Sequence, residues 1–403
     1  MRSSSVEDRD AVVVGGGSTG CSILYHLAKA GLKPLLVEKG AQLASGQTSR
    51  STAIVRTHYS SEVLTRMALN SYRFFTRFEE ELPGRTAGYV ETGLLVGADA
   101  RSVAALKANS TMHKRLGIDS RILEPNEASS KIEPFLDPGG FSLFAYEPHA
   151  GYAEPSTTAS AFAASAVGLG AAVMPETEVS SIKREGASGR YLVETSRGTV
   201  GARKIVLATG VWSKPVFDGL GIELPVRVSR HPVAVFGRPS VYRGVRPAIF
   251  DFPRSSYYKP EGDDLMFVGT LAPEVDASGS EADPDSYDGG VTLDEAAEFS
   301  KSAAEAIPVM SGGTYRRGYA GLYDNTPDQH PIIDELSGYG YPGVYCVVGL
   351  SGHGFKLAPE FGRVACALLM EGSFREYDVA VFRLKRFKEG KPMRGRYDVS
   401  TIA

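Results

Sequence analysis

Three glycines carry the clearest chemistry in this chain. In Asp10-Ala-Val-Val-Val-Gly-Gly-Gly-Ser-Thr-Gly20, Gly15, Gly17 and Gly20 make the pattern G-x-G-x-x-G. The apolar run Ala11 to Val14 before them reads as a buried parallel strand, and Cys21 to Gly31 behind them reads as a helix. A second apolar run, Pro34 to Val37, ends at Glu38. Strand, glycine turn, helix, strand and acid in this order bind a dinucleotide. Gly15 permits the tight turn, Gly17 lets the backbone approach a pyrophosphate, and Gly20 lets helix and strand pack closely. The helix N-terminus offers N–H groups to the phosphates, and Glu38 offers acceptors to the ribose hydroxyls. The glycine spacing alone is weak evidence. Gly338-Tyr-Gly-Tyr-Pro-Gly343 matches it too, but precedes the strand-like Val344 to Val348 with no helix and no acid, and reads as a loop.

Around these residues the chain has ordinary globular composition. Its 403 residues suffice for two domains, with 42% hydrophobic and 23% charged residues. A net charge of −3, with no long basic block, argues against nucleic-acid binding. The polar first ten residues lack the apolar stretch of a signal peptide, and no apolar run is long enough for a membrane span. Cys21, Cys346 and Cys366 lie in apolar segments and read as buried free thiols, which fits a cytoplasmic location. Neither they nor the seven histidines cluster along the sequence, so no metal site is expected.

Further elements must position the dinucleotide unit. A polar connection, Gly46 to Thr52, leads into Ala53-Ile-Val-Arg56. Ser61 to Leu82 reads as one long helix, Gly93 to Val96 as a strand and Ser102 to Leu116 as a helix, followed by a polar region to Asp137. Pro155 to Gly168 reads as a helix, Ala171 to Met174 as a strand, Val179 to Thr195 as a hairpin, and Lys204 to Leu207 as a strand ending in Ala208-Thr-Gly-Val-Trp-Ser213. Arg227 to Phe236, Tyr257 to Lys259 and Leu265 to Val268 read as strands of another sheet, and Asp294 to Ile307 as a helix. Residues 277–290 read as an exposed loop. A final helix begins near Phe355, after Gly349-Leu-Ser-Gly-His-Gly354.

Several of these segments, in order across nearly the whole chain, resemble the flavin-dependent D-amino-acid oxidase-like oxidoreductases, in their sarcosine oxidase and N-methyl-amino-acid branch. They are Val12 to Gly20, Val37 to Gly40, Ser45 to Arg56, Ala208 to Ser213, Leu322 to Ile333 and Gly349 to Pro359. The resemblance implies an α/β fold: a Rossmann-like FAD-binding domain of the glutathione-reductase type, with an inserted α+β substrate domain on a mixed or antiparallel sheet. Residues 1–85, 150–222 and 325–403 would form the FAD domain, and 86–149 and 223–324 the substrate domain. FAD contacts are then expected from Gly15, Gly17, Ser18, Thr19, Gly20, Glu38 and Lys39. More are expected from Ser45, Thr48, Arg50, Ser51, Val179, Ala208, Thr209, Gly210 and Trp212, and from Gly352, His353, Gly354, Phe355 and Lys356.

Arg56 and Lys356 match family positions that hold the substrate carboxylate, Tyr323 matches an active-site tyrosine, and Tyr258 and Lys259 lie on a strand that lines the pocket in relatives. Where sarcosine oxidases carry a flavin-linking cysteine this chain has Gly321, and where other relatives use a histidine it has Arg50, so noncovalent FAD is expected. The implied reaction is hydride transfer from a small secondary or N-methylated amino acid to flavin, giving an imine that water hydrolyses. Oxygen or an electron carrier would be the acceptor. The alternatives are oxidation of a 2-hydroxy acid or D-amino acid, or a flavin-containing subunit of a larger complex. A homo-oligomer or a hetero-oligomer is compatible with either.

Overall fold

The computed structural model describes residues 7–186, 188–271 and 281–397. Residues 1–6 and 277–280, on which the leader and loop expectations partly rest, lie outside the described residues. Two eight-stranded sheets organise the chain. In the first, strand Glu7–Val14 lies between Gly198–Leu207 and Leu35–Val37, parallel to both, and Ala172–Met174 continues the sheet beyond Leu35–Val37. Residues 11–14 are buried, as a parallel strand covered on both faces requires. Gly198–Leu207 is ten residues long and has two neighbours on its other edge. Its first half pairs antiparallel with Arg190–Thr195, and its second half pairs parallel with Val344–Val348.

The helix after the glycine turn, Ser18–Lys29, packs between Pro155–Gly168 and Gly354–Glu371. The last of these approaches closely because Gly362 has no side chain; a Cβ there would stand 2.3 Å from Ser22 Oγ. Chain segments from the beginning, middle and end of the sequence thus build one layered α/β unit.

The second sheet runs Thr314–Asn325, Arg227–Gly237, Leu265–Thr270, Ser256–Glu261, Ala248–Asp251, Leu94–Ala98, Leu143–Glu147, Arg121–Leu123, and is mostly antiparallel. Helix Leu293–Ala306 covers part of it, held at its start by a capping box in which Thr292 and Glu295 exchange backbone hydrogen bonds. A small sheet of Ile54–Val55, Gly151–Tyr152 and Val90–Glu91 ties the two units together.

Two sequence readings change. The long helix divides into Glu62–Thr76 and Phe78–Glu81, because Arg77 leaves helical geometry at φ −116° and ψ 28°. The polar stretch before Asp137 contains the helix Pro125–Lys131, which opens on proline with its own capping box.

Gly20 is the tightest point of the first unit: a Cβ there would lie 1.9 Å from the Gly15 carbonyl oxygen. Backbone cannot yield to that contact as a flexible side chain would. Gly20→Ala should therefore destabilise the protein by at least roughly 1–3 kcal/mol, read as a lower midpoint in thermal or denaturant unfolding. An unchanged midpoint would show that this helix packs farther from the turn.

Candidate active site

A cavity of about 910 Å³ follows the carboxyl ends of the first sheet's parallel strands and passes beneath the second sheet. Gly15, Gly17, Ser18 and Thr19 form its floor. Gly15 adopts φ +106° where a Cβ would lie 2.4 Å from Ala208 O, so only glycine closes this turn. No acidic residue occupies the first turn of Ser18–Lys29, and Thr48 Oγ1 accepts the Ser18 N–H at 3.0 Å. No acid of the helix itself therefore competes for its first-turn N–H groups. Gly20 lies beneath the turn as the helix–strand contact and does not line the cavity.

Glu38 sits where the second strand ends. Its carboxylate accepts from Gly16 N–H at 2.6 Å and from Gly40 N–H at 2.7 Å, which holds it on the cavity wall with lone pairs to spare. Ser45, Thr48, Arg50, Ser51, Val179, Ala208, Thr209, Gly210 and Trp212 line the same cavity. So does Lys39, whose Nζ lies 4.3 Å from the Trp212 ring centroid.

The described part of the expected loop, from residue 281 onward, is not merely exposed. Asp285 Oδ1 accepts from Lys39 Nζ at 2.7 Å and from Trp212 Nε1 at 2.9 Å, while Arg50 donates to the Tyr287 hydroxyl at 2.7 Å. This segment is a strap across the cavity. No local pattern announces it, because its partners lie far away in sequence.

At the far end, Gly352, Gly354 and Phe355 line the wall at the start of Gly354–Glu371, again a helix with no acid in its first turn. Gly352 has φ +78°, and a Cβ there would stand 2.5 Å from the Tyr323 ring. Tyr323 in turn stacks on His231, centroid to centroid 3.8 Å. The two rings come from neighbouring strands, Arg227–Gly237 and Thr314–Asn325. His231 lines the cavity and was not singled out in the sequence, since a lone histidine in a strand carries no signal. Burial pushes its pKa down to about 3, so the ring is neutral; Nε2 shares a hydrogen bond with Ser229 Oγ at 2.8 Å, and Nδ1 makes none. Asp324 also lines the cavity, and burial, opposed by backbone N–H groups around Leu350, pushes its carboxyl up to about 6.

Several expected residues stand elsewhere. Tyr258 faces away from the cavity into the second sheet's core, where its hydroxyl bonds Asp251 Oδ2 at 3.1 Å and Ser302 Oγ at 2.7 Å. Tyr257 takes the cavity position instead, seated opposite Gly269, where a Cβ would lie 2.4 Å from its hydroxyl. One residue of strand register decides between the two faces. Lys259 is buried behind the wall, bonded to Thr52 O at 3.0 Å and ion-paired with Glu261. His353 is buried beside the wall, its Nδ1 sharing a hydrogen bond with Tyr59 OH at 3.1 Å. Arg56 and Lys356 lie one layer behind Tyr323 and Gly352. Arg56 stacks 4.2 Å from the Tyr59 ring centroid and donates to His58 O; Lys356 donates to Gly352 O at 3.0 Å. Burial, and then the charge of Arg56, push the Lys356 pKa well below the usual lysine range.

The expectation that the histidines do not cluster fails in three dimensions. His58, His113 and Glu147 are buried together with their potential ligand atoms within 4.8 Å of one another. The cysteines are free as expected, though Cys366 is only half-buried. No helix among the described residues is long and apolar enough to cross a membrane.

The cavity's size, its glycine floor, two acid-free helix ends and an acid at the ribose position fit a flavin dinucleotide. Comparison with known proteins agrees. The chain is 26% identical over 386 residues to monomeric sarcosine oxidase of Bacillus sp. (strain B-0618), covering 94% of this chain and 96% of that one. It is 25% identical over 386 residues to mitochondrial sarcosine dehydrogenase of Mus musculus, but spans only 41% of that protein's length. The crystal structure of L-proline dehydrogenase from P. horikoshii superposes with a TM-score of 0.86 at 27% identity, covering 96% of this chain and all of that one. The family profile for FAD dependent oxidoreductases matches residues 10–368, and the chain belongs to that family of D-amino-acid oxidase-like flavoenzymes.

Proposed function

We propose that this chain oxidises a small secondary or N-methylated amino acid at the carbon–hydrogen bond beside nitrogen. The observation that carries this reading is the pair of cationic side chains, buried Arg56 and half-buried Lys356, behind the Tyr323–Gly352 wall. Desolvation disfavours the charge on Lys356 and the nearby charge of Arg56 adds repulsion, and the depressed pKa of Lys356 records that combined cost. A substrate carboxylate relieves it. Arginine's planar fork holds the carboxylate in a fixed plane, and the lysine adds a second point charge. Sarcosine and L-proline, the substrates named for two similar proteins, are both secondary amino acids, and this supports the same class here.

Bound FAD supplies the hydride acceptor. The chain's own residues do the rest. Tyr257 and Tyr323 line the cavity on the side of the second sheet and would shield a bound substrate from water. His231, neutral and with Nδ1 making no hydrogen bond, is suited to accept one from the amine. The start of Gly354–Glu371, with no acid in its first turn, would offer bound FAD a positive helix end, which favours the negative charge of a reduced flavin.

FAD is held without a covalent bond in this reading, because Gly321 and Arg50 stand where relatives place attachment residues. Acid or heat denaturation should release all flavin into solution. Fluorescence that migrates with the denatured chain on a gel would overturn this.

The substrate reading is tested by anaerobic flavin bleaching over N-methyl amino acids, cyclic secondary amino acids, D-amino acids, 2-hydroxy acids and amines lacking a carboxylate. Arg56→Ala should weaken binding of carboxylate substrates about tenfold to a hundredfold, since charge-assisted hydrogen bonds contribute roughly 1.5–3 kcal/mol each. Arg56→Lys should recover part of the loss. Equal losses toward substrates with and without a carboxylate would remove that role from Arg56, and bleaching by 2-hydroxy acids alone would replace the amino-acid reading.

Affinity should also depend on pH with a definite sign. A bound carboxylate favours the ammonium form of Lys356, so binding is full below the lysine's pKa and weakens as pH rises through it. Because burial and Arg56 lower that pKa, the weakening should begin well below the usual lysine value of 10.5. Titration of a carboxylate inhibitor from neutral to alkaline pH should show this inflection in the parent enzyme and not in Lys356→Met. The same inflection in both proteins would assign it to another group.

The chain covers 41% of sarcosine dehydrogenase from mouse. Action as one part of a larger assembly, with a carrier rather than oxygen as electron acceptor, is the second reading. Turnover of the isolated chain with oxygen and with an artificial acceptor separates the two.

A further inference from the structure

Away from the cavity, His58, His113 and Glu147 meet in the interior, each 2% exposed or less. Their outer atoms are all satisfied. His113 Nε2 contacts the Tyr59 carbonyl at 2.9 Å, His58 Nε2 shares a hydrogen bond with Tyr397 OH at 2.8 Å, and Glu147 Oε2 accepts from Thr57 N–H and Oγ1 at 3.1 and 2.9 Å. Their inner atoms are not. His58 Nδ1, His113 Nδ1 and Glu147 Oε1 make no hydrogen bond, although Oε1 stands only 3.5 Å from His58 Nδ1 and 3.6 Å from His113 Nδ1.

The tautomer of His113 follows from its outer contact. A carbonyl only accepts, so Nε2 carries the hydrogen of the neutral ring. Its Nδ1 lone pair then faces a carboxylate oxygen, an arrangement of two acceptors that is costly in a dry interior. A cation placed among the three atoms turns that cost into bonding.

We propose that His58, His113 and Glu147 bind a divalent transition-metal ion of the zinc class. Two imidazoles and a carboxylate are an ordinary donor set for such ions, and the fourth position would fall to water. The outer hydrogen bonds are those that orient metal-binding histidines and carboxylates elsewhere. Bonds of about 2.0–2.1 Å place tetrahedral donors roughly 3.4 Å apart. Two of the three separations already approach that value, and rotation of the histidine rings shortens the third. None of the three residues lines the cavity, so the effect of the ion would be on the fold around it. The ion would clamp residues 57–59, immediately after Arg56, onto helix Val103–Arg115 and strand Leu143–Glu147, and so hold the arginine's loop from behind.

The test uses the purified, flavin-loaded protein. Elemental analysis should find about one zinc-class ion per chain, or, after chelator treatment, added Co²⁺ should bind saturably near one equivalent with ligand-field absorption at wavelengths beyond the flavin bands. Thermal midpoint should fall on chelation and return with Zn²⁺. His113→Gln and Glu147→Gln should each abolish the stoichiometric ion and the cobalt spectrum while the parent retains both. Should a variant fail to fold, the parent titration decides alone: absence of both retained ion and saturable Co²⁺ binding overturns the proposal. An ion that persists in both folded variants overturns it equally, since it must then reside elsewhere.

Discussion

Three backbone segments meet without side chains between them at the end of strand Glu7–Val14, and the site depends on that contact. Gly15 turns against the Ala208 carbonyl, Gly20 lies on the Gly15 carbonyl, and Ala208 N–H donates to Val14 O at 2.9 Å. Any Cβ at these glycines would push the helix away from the strand or the strands from one another. The consequence is electrostatic as much as steric. Bringing the first turn of Ser18–Lys29 directly under the cavity is what makes its N–H groups available to an anion. Thr48, the residue that takes one of those N–H groups, comes from the connection that also leads to Arg56, so cofactor floor and substrate loop share one segment.

Charge is arranged by depth. Exposed ion pairs such as Lys39–Asp285 close the strap, where each contributes little in water. Inside, the polar groups are strongly biased. His231 and His353 are held neutral by burial, burial pushes the Asp324 carboxyl up to about 6, and burial together with the charge of Arg56 depresses the Lys356 ammonium. Perturbed groups of this kind gather where ligands bind and react. The second sheet supplies Tyr257, Tyr323 and His231 and the first unit supplies the backbone donors, so the cavity lies where the two kinds of chemistry adjoin.

The features legible in the sequence are those encoded over a short span. Gly15, Gly17, Gly20 and Glu38 lie within one strand–helix–strand unit, and their spacing alone defines the turn and the acid. Resemblance extended this to Arg50, Trp212 and Gly352, which line the cavity. The rest depends on pairing at a distance. Tyr257 and Tyr258 are equivalent as sequence, and only the register with Gly269 turns one of them toward the cavity. His231 acquires meaning from Tyr323, on a strand some 90 residues later, and Asp285 from Lys39 on the opposite side of the chain. His58, His113 and Glu147 come from a loop, a helix and a strand, and no periodicity relates them. Arg77 breaks a helix whose apolar stripe continues across it, because the backbone turns where the stripe does not.

The order of strands also sets a clock. Glu7–Val14 is made before the other strands of its sheet, yet one of its two neighbours, Gly198–Leu207, is synthesised much later, and the sheet is finished only when Val344–Val348 joins. At roughly 5–20 residues per second, the separation of about 190 residues between Val12 and its partner Ile205 corresponds to a wait of roughly 10–40 s. For that interval the apolar half of this strand, residues 11–14, has an open edge, the kind of edge that pairs with other chains. The burden of keeping this protein from aggregating therefore falls on the period of its synthesis, before the sheet that carries the cofactor cavity is complete.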